Sequence, residues 1–122
     1  MQGSRVHPAD VRRQVGAALS TCATPVPETR IQDAQLVATE LVTNALLHAG
    51  GLDEFQLDVS ERHIHLTAVD SSTELPTRQR SLASFDAAVS GGFGWPLICH
   101  LAEDTEIRLS GAGKAISVRL PL

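Results

Sequence analysis

Aromatic residues are nearly missing from this chain, which has one tryptophan, three phenylalanines and no tyrosine. Its core must therefore be assembled from Leu, Val, Ile and Ala, which fill space by branching and interdigitation. Cysteine is scarce as well. Cys22 and Cys99 each fall in an apolar helical pattern, which reads as two buried free thiols in a reducing cytoplasm, not as a disulfide framework or a catalytic thiol. Positive charge is not in excess, since the formal net charge is −4. That argues against a protein whose grip on nucleic acid rests on a basic surface. Long hydrophobic runs are also lacking. The opening "MQGSRVHPADVRR" holds no signal-peptide core, and no run approaches the roughly 20 apolar residues of a membrane span. The nearest candidate is broken by Glu40, Asn44 and His48.

What remains is an ordinary soluble composition, 43% apolar and 20% charged, with enough chain for one domain, residues 1–122, and one modest core. Repeats, low-complexity tracts and dividing linkers are not seen. Pro8-Ala9-Asp10 opens a helical pattern carried by Val11, Val15, Ala18, Leu19 and Cys22. "TPVPET" ends it, because two prolines cannot continue a helix. Thr29 is the expected N-cap of a second helix with Ile31, Ala34, Ala38, Leu41 and Ala45 on one face, stopped by Gly50-Gly51.

Two strand patterns follow. "EFQLDVS" alternates Phe55, Leu57 and Val59, and "HIHLTAVD" alternates Ile64, Leu66 and Ala68, with a polar turn at Glu61-Arg62. Beyond the polar loop "SSTELPTRQRSL", the stretch "ASFDAAV" suggests a short helix. "SGGFGWPL" is a Gly-rich loop leading into a helix from Pro96 to about Ala102. "TEIRLSGAGKAISVRL" reads as a hairpin with Ile107, Leu109, Ile116, Val118 and Leu120 facing in. The sum is a two-layer α/β sandwich, three or four helices on one face of a small four- or five-stranded sheet, mixed but largely antiparallel.

Three features carry chemistry. Glu40, Asn44 and His48 stand four apart, so they drift only about 40° per step and form one polar edge beside the apolar face of the second helix. An Asn carbonyl oxygen suits Mg²⁺, and a Glu one turn away can take a proton from water or a hydroxyl attacking a phosphate. A plain solvated helix edge would show the same spacing. Asp70 ends the inward face of its strand, where a carboxylate can accept from an exocyclic amine; "DSS" also reads as an Asx turn. Gly91-Gly92-Phe93-Gly94 precedes a helix whose free N–H groups could meet an anion.

Two patterns are decoys. "GAGKA" lacks the P-loop glycine at Arg108 and the hydroxyl at Ala115, and it leads into a strand. His63 and His65 share a strand face with too few partners for zinc.

The order of these features resembles the histidine-kinase-like (GHKL) ATPase superfamily. "ELVTNALLHAG" is similar to its N box, "VDSS" to a degenerate G1 box and "SGGFGWPLICHLA" to its G2 box. The size and the closing "GAGKAISVRLPL" resemble the small stand-alone regulators related to anti-sigma-factor serine/threonine kinases. The resemblance runs from about Pro8 to the end of the chain. It implies a Bergerat-type fold that binds ATP and Mg. Asn44 would coordinate Mg²⁺, Glu40 would be the general base, Asp70 would accept from the adenine amine, and Gly92 and Gly94 would bound a phosphate lid. His48 matches the motif as a phosphate contact or a helix-end hydrogen bond. A threonine near the start of the last strand often holds adenine in this family; Lys114 and Ala115 stand there instead, Lys114 being the candidate for contact with the nucleotide.

The resemblance further implies a sigma factor or an anti-anti-sigma (antagonist) protein as partner, and a homodimer. It leaves two main functions open: a kinase of the antagonist, to which Glu40 points, and a non-catalytic ATP-binding module acting by protein contact, to which Ser71-Ser72 and the missing threonine point. A third reading is a dead pocket with only a partner surface.

Overall fold

In the computed structural model, which describes residues 6–75 and 94–122, helix α1 (Pro8–Ser20) and helix α2 (Glu28–Ala49) come first. Strands β1 (Glu54–Val59) and β2 (His63–Asp70) follow. Helix α3 (Gly94–Leu101) then leads to β3 (Asp104–Ser110) and β4 (Gly113–Pro121). The strands form one sheet of order β1-β2-β4-β3, antiparallel at every pairing. Each hairpin is local, and the central pairing of β2 with β4 joins them. The expected short helix at "ASFDAAV" lies outside the described residues.

Period-two alternation decides the layers. Phe55, Leu57 and Val59 of β1, Ile64, Leu66 and Ala68 of β2, Thr105 and Ile107 of β3, and Ile116, Val118 and Leu120 of β4 share one face by register. The helices bury Val11, Val15 and Leu19 of α1, Ala34, Val37, Ala38, Leu41, Val42 and Ala45 of α2, and Ile98 of α3 in the same core. Full burial of each Val, Leu or Ile contributes about 1.5–3 kcal/mol against the entropy of ordering the chain. The opposite sheet face carries His63, His65, Glu106 and Arg119 and is solvated, which is why the alternation is so regular. Both cysteines are half-buried, and neither forms a disulfide.

Two helix starts differ from expectation. Helix α2 begins at Glu28 with Pro27, not Thr29, at the N-cap, and the Pro27 carbonyl accepts from Arg30 N at 2.9 Å. The proline ring already holds φ at −57°, close to the helical value, so the turn closes two residues earlier than a hydroxyl cap at Thr29 would place it. Helix α3 begins at Gly94, with Pro96 third. The first turn of a helix has no intrahelical use for its N–H groups, so proline is tolerated there. Gly50 ends α2 at φ 75°, and Gly51 N donates to Ala45 O at 2.9 Å, a closure that favours glycine.

Candidate functional site

Helix α2 packs against α1, α3 and β2, and its polar edge meets the N-terminus of α3. Glu40 and Asn44 are half-buried there. A Cβ built on Gly94 would lie 2.6 Å from Asn44 Oδ1 and 2.9 Å from Glu40 Oε1. A side chain at residue 94 would have to displace both groups, so glycine there lets the α3 backbone lie against them. Glu40 Oε1 is buried and has no hydrogen-bond partner among the described residues. Desolvation by this burial raises the Glu40 pKa above the ordinary carboxylate range. Among the described residues, Arg119 Nε is the other such atom, but it lies 3.7 Å from Glu103 Oε1 across an ion pair. The orphaned carboxylate oxygen of Glu40 has no such compensation, and an unsatisfied buried oxygen asks for a ligand.

His48 does not join this pair. Its side chain is exposed, with Nδ1 3.9 Å from Glu74 Oε1. The drift along the helix edge carries the third residue round to solvent. Gly91, Gly92 and Phe93 lie outside the described residues, as does the lid segment from Pro76.

Asp70 closes the inward face of β2 and is 4% exposed. Its Oδ1 accepts from Ser72 N at 2.9 Å, the Asx turn, and from Lys114 Nζ at 3.0 Å. Lys114 is 6% exposed and pairs with Asp70 across the β2–β4 ladder. This buried ion pair was missed in the sequence, although a signal was available: period two runs back from Ile116 to Lys114 as it runs forward from Ala68 to Asp70. A cavity of about 310 Å³ opens at this end of the sheet, bounded by Asp53, Val69, Arg108 and Ala115 as well as by both members of the pair; by register Val69, Arg108 and Ala115 belong to the face opposite Asp70 and Lys114. It takes in neither Glu40 nor Asn44, so the two polar clusters do not share this cavity. The pair suits a polar ligand edge. Glu40, Asn44 and the α3 N-terminus suit a metal-bound polyphosphate, because an amide oxygen and a carboxylate are hard donors beside free N–H groups.

A family model described as the histidine kinase-like ATPase domain matches residues 5–120. The chain belongs to the histidine kinase-like ATPase domain family. Eighteen chains of known structure also match. Among them is the histidine kinase domain of the blue-light activated histidine kinase from Erythrobacter litoralis EL346, with a TM-score of 0.56 at 15% identity. That match covers 100% of this chain and 65% of the other, and it establishes the α/β sandwich as an ATPase-domain fold. No curated protein matches the chain. Membership makes adenine nucleotide the expected ligand of this histidine kinase-like ATPase domain. No helix among the described residues is long and apolar enough to cross a membrane.

Proposed function

We propose that this domain binds Mg-ATP and transfers its terminal phosphoryl group to a serine or threonine of a small antagonist protein, as anti-sigma-factor kinases do. The observation that carries the proposal is the orphaned, desolvated Glu40 Oε1 against the N-terminus of α3. A module that only held nucleotide would have no use for a buried carboxylate without a partner. In the transfer, the acceptor hydroxyl oxygen bonds to the γ-phosphorus, the bond from that phosphorus to the β,γ-bridging oxygen breaks, ADP leaves, and the hydroxyl proton passes to Glu40. Its raised pKa makes it a stronger base than a solvated carboxylate. Asn44 would hold Mg²⁺ through Oδ1, and the metal when bound neutralises charge on the phosphates. Gly94 lets the α3 N–H groups approach the phosphates.

The site is tested first by calorimetric titration of ATP, with and without Mg²⁺, into the wild type and Asn44→Ala. Binding that needs both Mg²⁺ and Asn44 supports the site, and a folded wild type that binds no ATP refutes it. Radiolabelled transfer to an antagonist protein captured by the chain then tests the kinase. Binding without any transfer would favour the second reading, a regulatory nucleotide-binding module, which the Lys114–Asp70 pair also motivates because it alters the wall where the family has a threonine.

A further inference from the structure

Strand β3 is an edge of the sheet, paired with β4 and with no other strand among the described residues. Edge strands usually carry a defence against pairing with another chain. The opposite edge, β1, has one: helix α1 packs against it, and its outward charges, Glu54 and Asp58, are both acidic. On β3 the outward charges have both signs. Glu106 and Arg108 share the solvated face, with side chains 55% and 77% exposed. Thr105, Ile107 and Leu109 share the helix face, and Leu109 is left 56% exposed. Backbone groups are available as well. Ser110 and Gly113 close a two-residue turn, so they exchange both backbone hydrogen bonds, and every second pair back along the ladder does the same. Asp104, Glu106, Arg108 and Ser110 therefore turn their N–H and C=O groups to β4. Those of Thr105, Ile107 and Leu109 point away from β4, into the open edge.

We propose that β3 docks a second copy of this chain, the two β3 strands lying antiparallel so that the two sheets join into one. A two-fold axis pairs outward-turned residues with outward-turned residues, so the backbone hydrogen bonds close in any such register. Charge selects one register. Centred on Ile107, the middle of the strand, the whole of β3 overlaps its copy, and Glu106 faces the partner's Arg108 at two symmetric positions. On the helix face Leu109 meets the partner's Thr105, and Ile107 meets its own copy. Moving the centre by one residue sets Glu106 against Glu106 or Arg108 against Arg108, which is unfavourable across a strand pair. The family resemblance implies a homodimer without saying where it closes; β3 supplies the seam. The inference does not rest on the nucleotide reading. The seam is one strand wide, well short of a standard interface, so association in the micromolar range is expected.

The test is sedimentation velocity of the nucleotide-free chain from about 5 to 500 µM, on the wild type, Glu106→Arg, Arg108→Glu, an equimolar mixture of the two variants, and the chain carrying both substitutions. Both side chains are exposed, so the variants should fold as the wild type does. The wild type should pass from monomer to dimer across that range. Either single variant sets like charge against like at both symmetric positions and should dimerise on the order of tenfold or more weakly. In the mixture every such contact becomes one of opposite charge, so a heterodimer close to wild-type strength should return. The doubly substituted chain, with both charges exchanged, should dimerise as the wild type does. A wild type that stays monomeric to the top of the range would overturn the inference. So would a dimer that both single variants leave intact, because its interface would lie elsewhere. Weakened single variants whose mixture and double substitution both fail to recover would overturn the register centred on Ile107.

Discussion

Glu40 combines a chemical task with a structural cost. Burial holds its pKa above the ordinary range, so between the unfolded and folded values the native state binds more protons than the unfolded chain. Stability from this group is therefore fully present below the unfolded pKa and is lost as pH rises through the folded one. Without nucleotide, Glu40→Gln should melt a few degrees above the wild type at neutral pH, and the gap should close near pH ~4 in thermal scans. The same variant should keep ATP affinity within a few-fold and lose phosphoryl transfer by about a hundredfold or more. Gly94→Ala would push a methyl group against Asn44 Oδ1 and Glu40 Oε1. It should cost about 1–3 kcal/mol in urea unfolding and weaken nucleotide binding about tenfold. Glu40 and Asn44 were legible in the sequence because helical spacing sets them one turn apart. The departure of His48 from the pair was not, because a drift of about 40° per step only matters once the position of α3 is known. Nor was the Asp70–Lys114 pairing, because strand register is a tertiary fact.

Helices and strands were more legible than their ends. Both hairpins follow their alternation, since one face is buried and the other wet, and a slip of one residue would reverse both; the exception is Leu109, expected to face in, which is 56% exposed near the end of the edge strand β3. Starts decided by proline were read late, at Thr29 and Pro96. Two glycines inside elements should respond in opposite ways. Gly113, at φ 156°, would place a Cβ 2.1 Å from the Asp70 carbonyl oxygen; Gly113→Ala should therefore be destabilised by about 2 kcal/mol or more, or fail to fold. Gly16 in α1 would place its Cβ 2.8 Å from Gln35 Nε2, the movable end of a side chain that now bonds the Arg12 carbonyl at 3.2 Å. Swinging Gln35 aside forfeits that exposed bond but gains roughly 0.5–1 kcal/mol of helix propensity, so Gly16→Ala should be neutral to slightly stabilised. Chemical denaturation of the pair separates backbone-limited from side-chain-limited glycine.

On the scale of the whole molecule, each hairpin is local in sequence, and β2–β4 joins residues 44 apart, as in the Lys114–Asp70 bond. The polar clusters span the same division: Glu40, Asn44 and Asp70 precede it, and Gly94 and Lys114 follow it. Nucleotide that touches both sides should add stability by mass action. Mg-ADP at a hundred times its Kd contributes about 2.7 kcal/mol, or roughly 10 °C in Tm for a domain of this size, and Asn44→Ala should lose most of that shift.

The central β2–β4 ladder also bears on how fast the fold opens and closes. Local hairpins form early, whereas pairing residues far apart must first overcome loop-closure entropy. Ligand contacts at the far end of that ladder, on Asp70 and Lys114, then form only after the rate-limiting step. Saturating Mg-ADP should slow unfolding in stopped-flow denaturant jumps by nearly the whole factor it adds to stability and leave the refolding rate unchanged. The nucleotide would act as a latch on a closed seam, setting the lifetime of the native state more than the speed of reaching it.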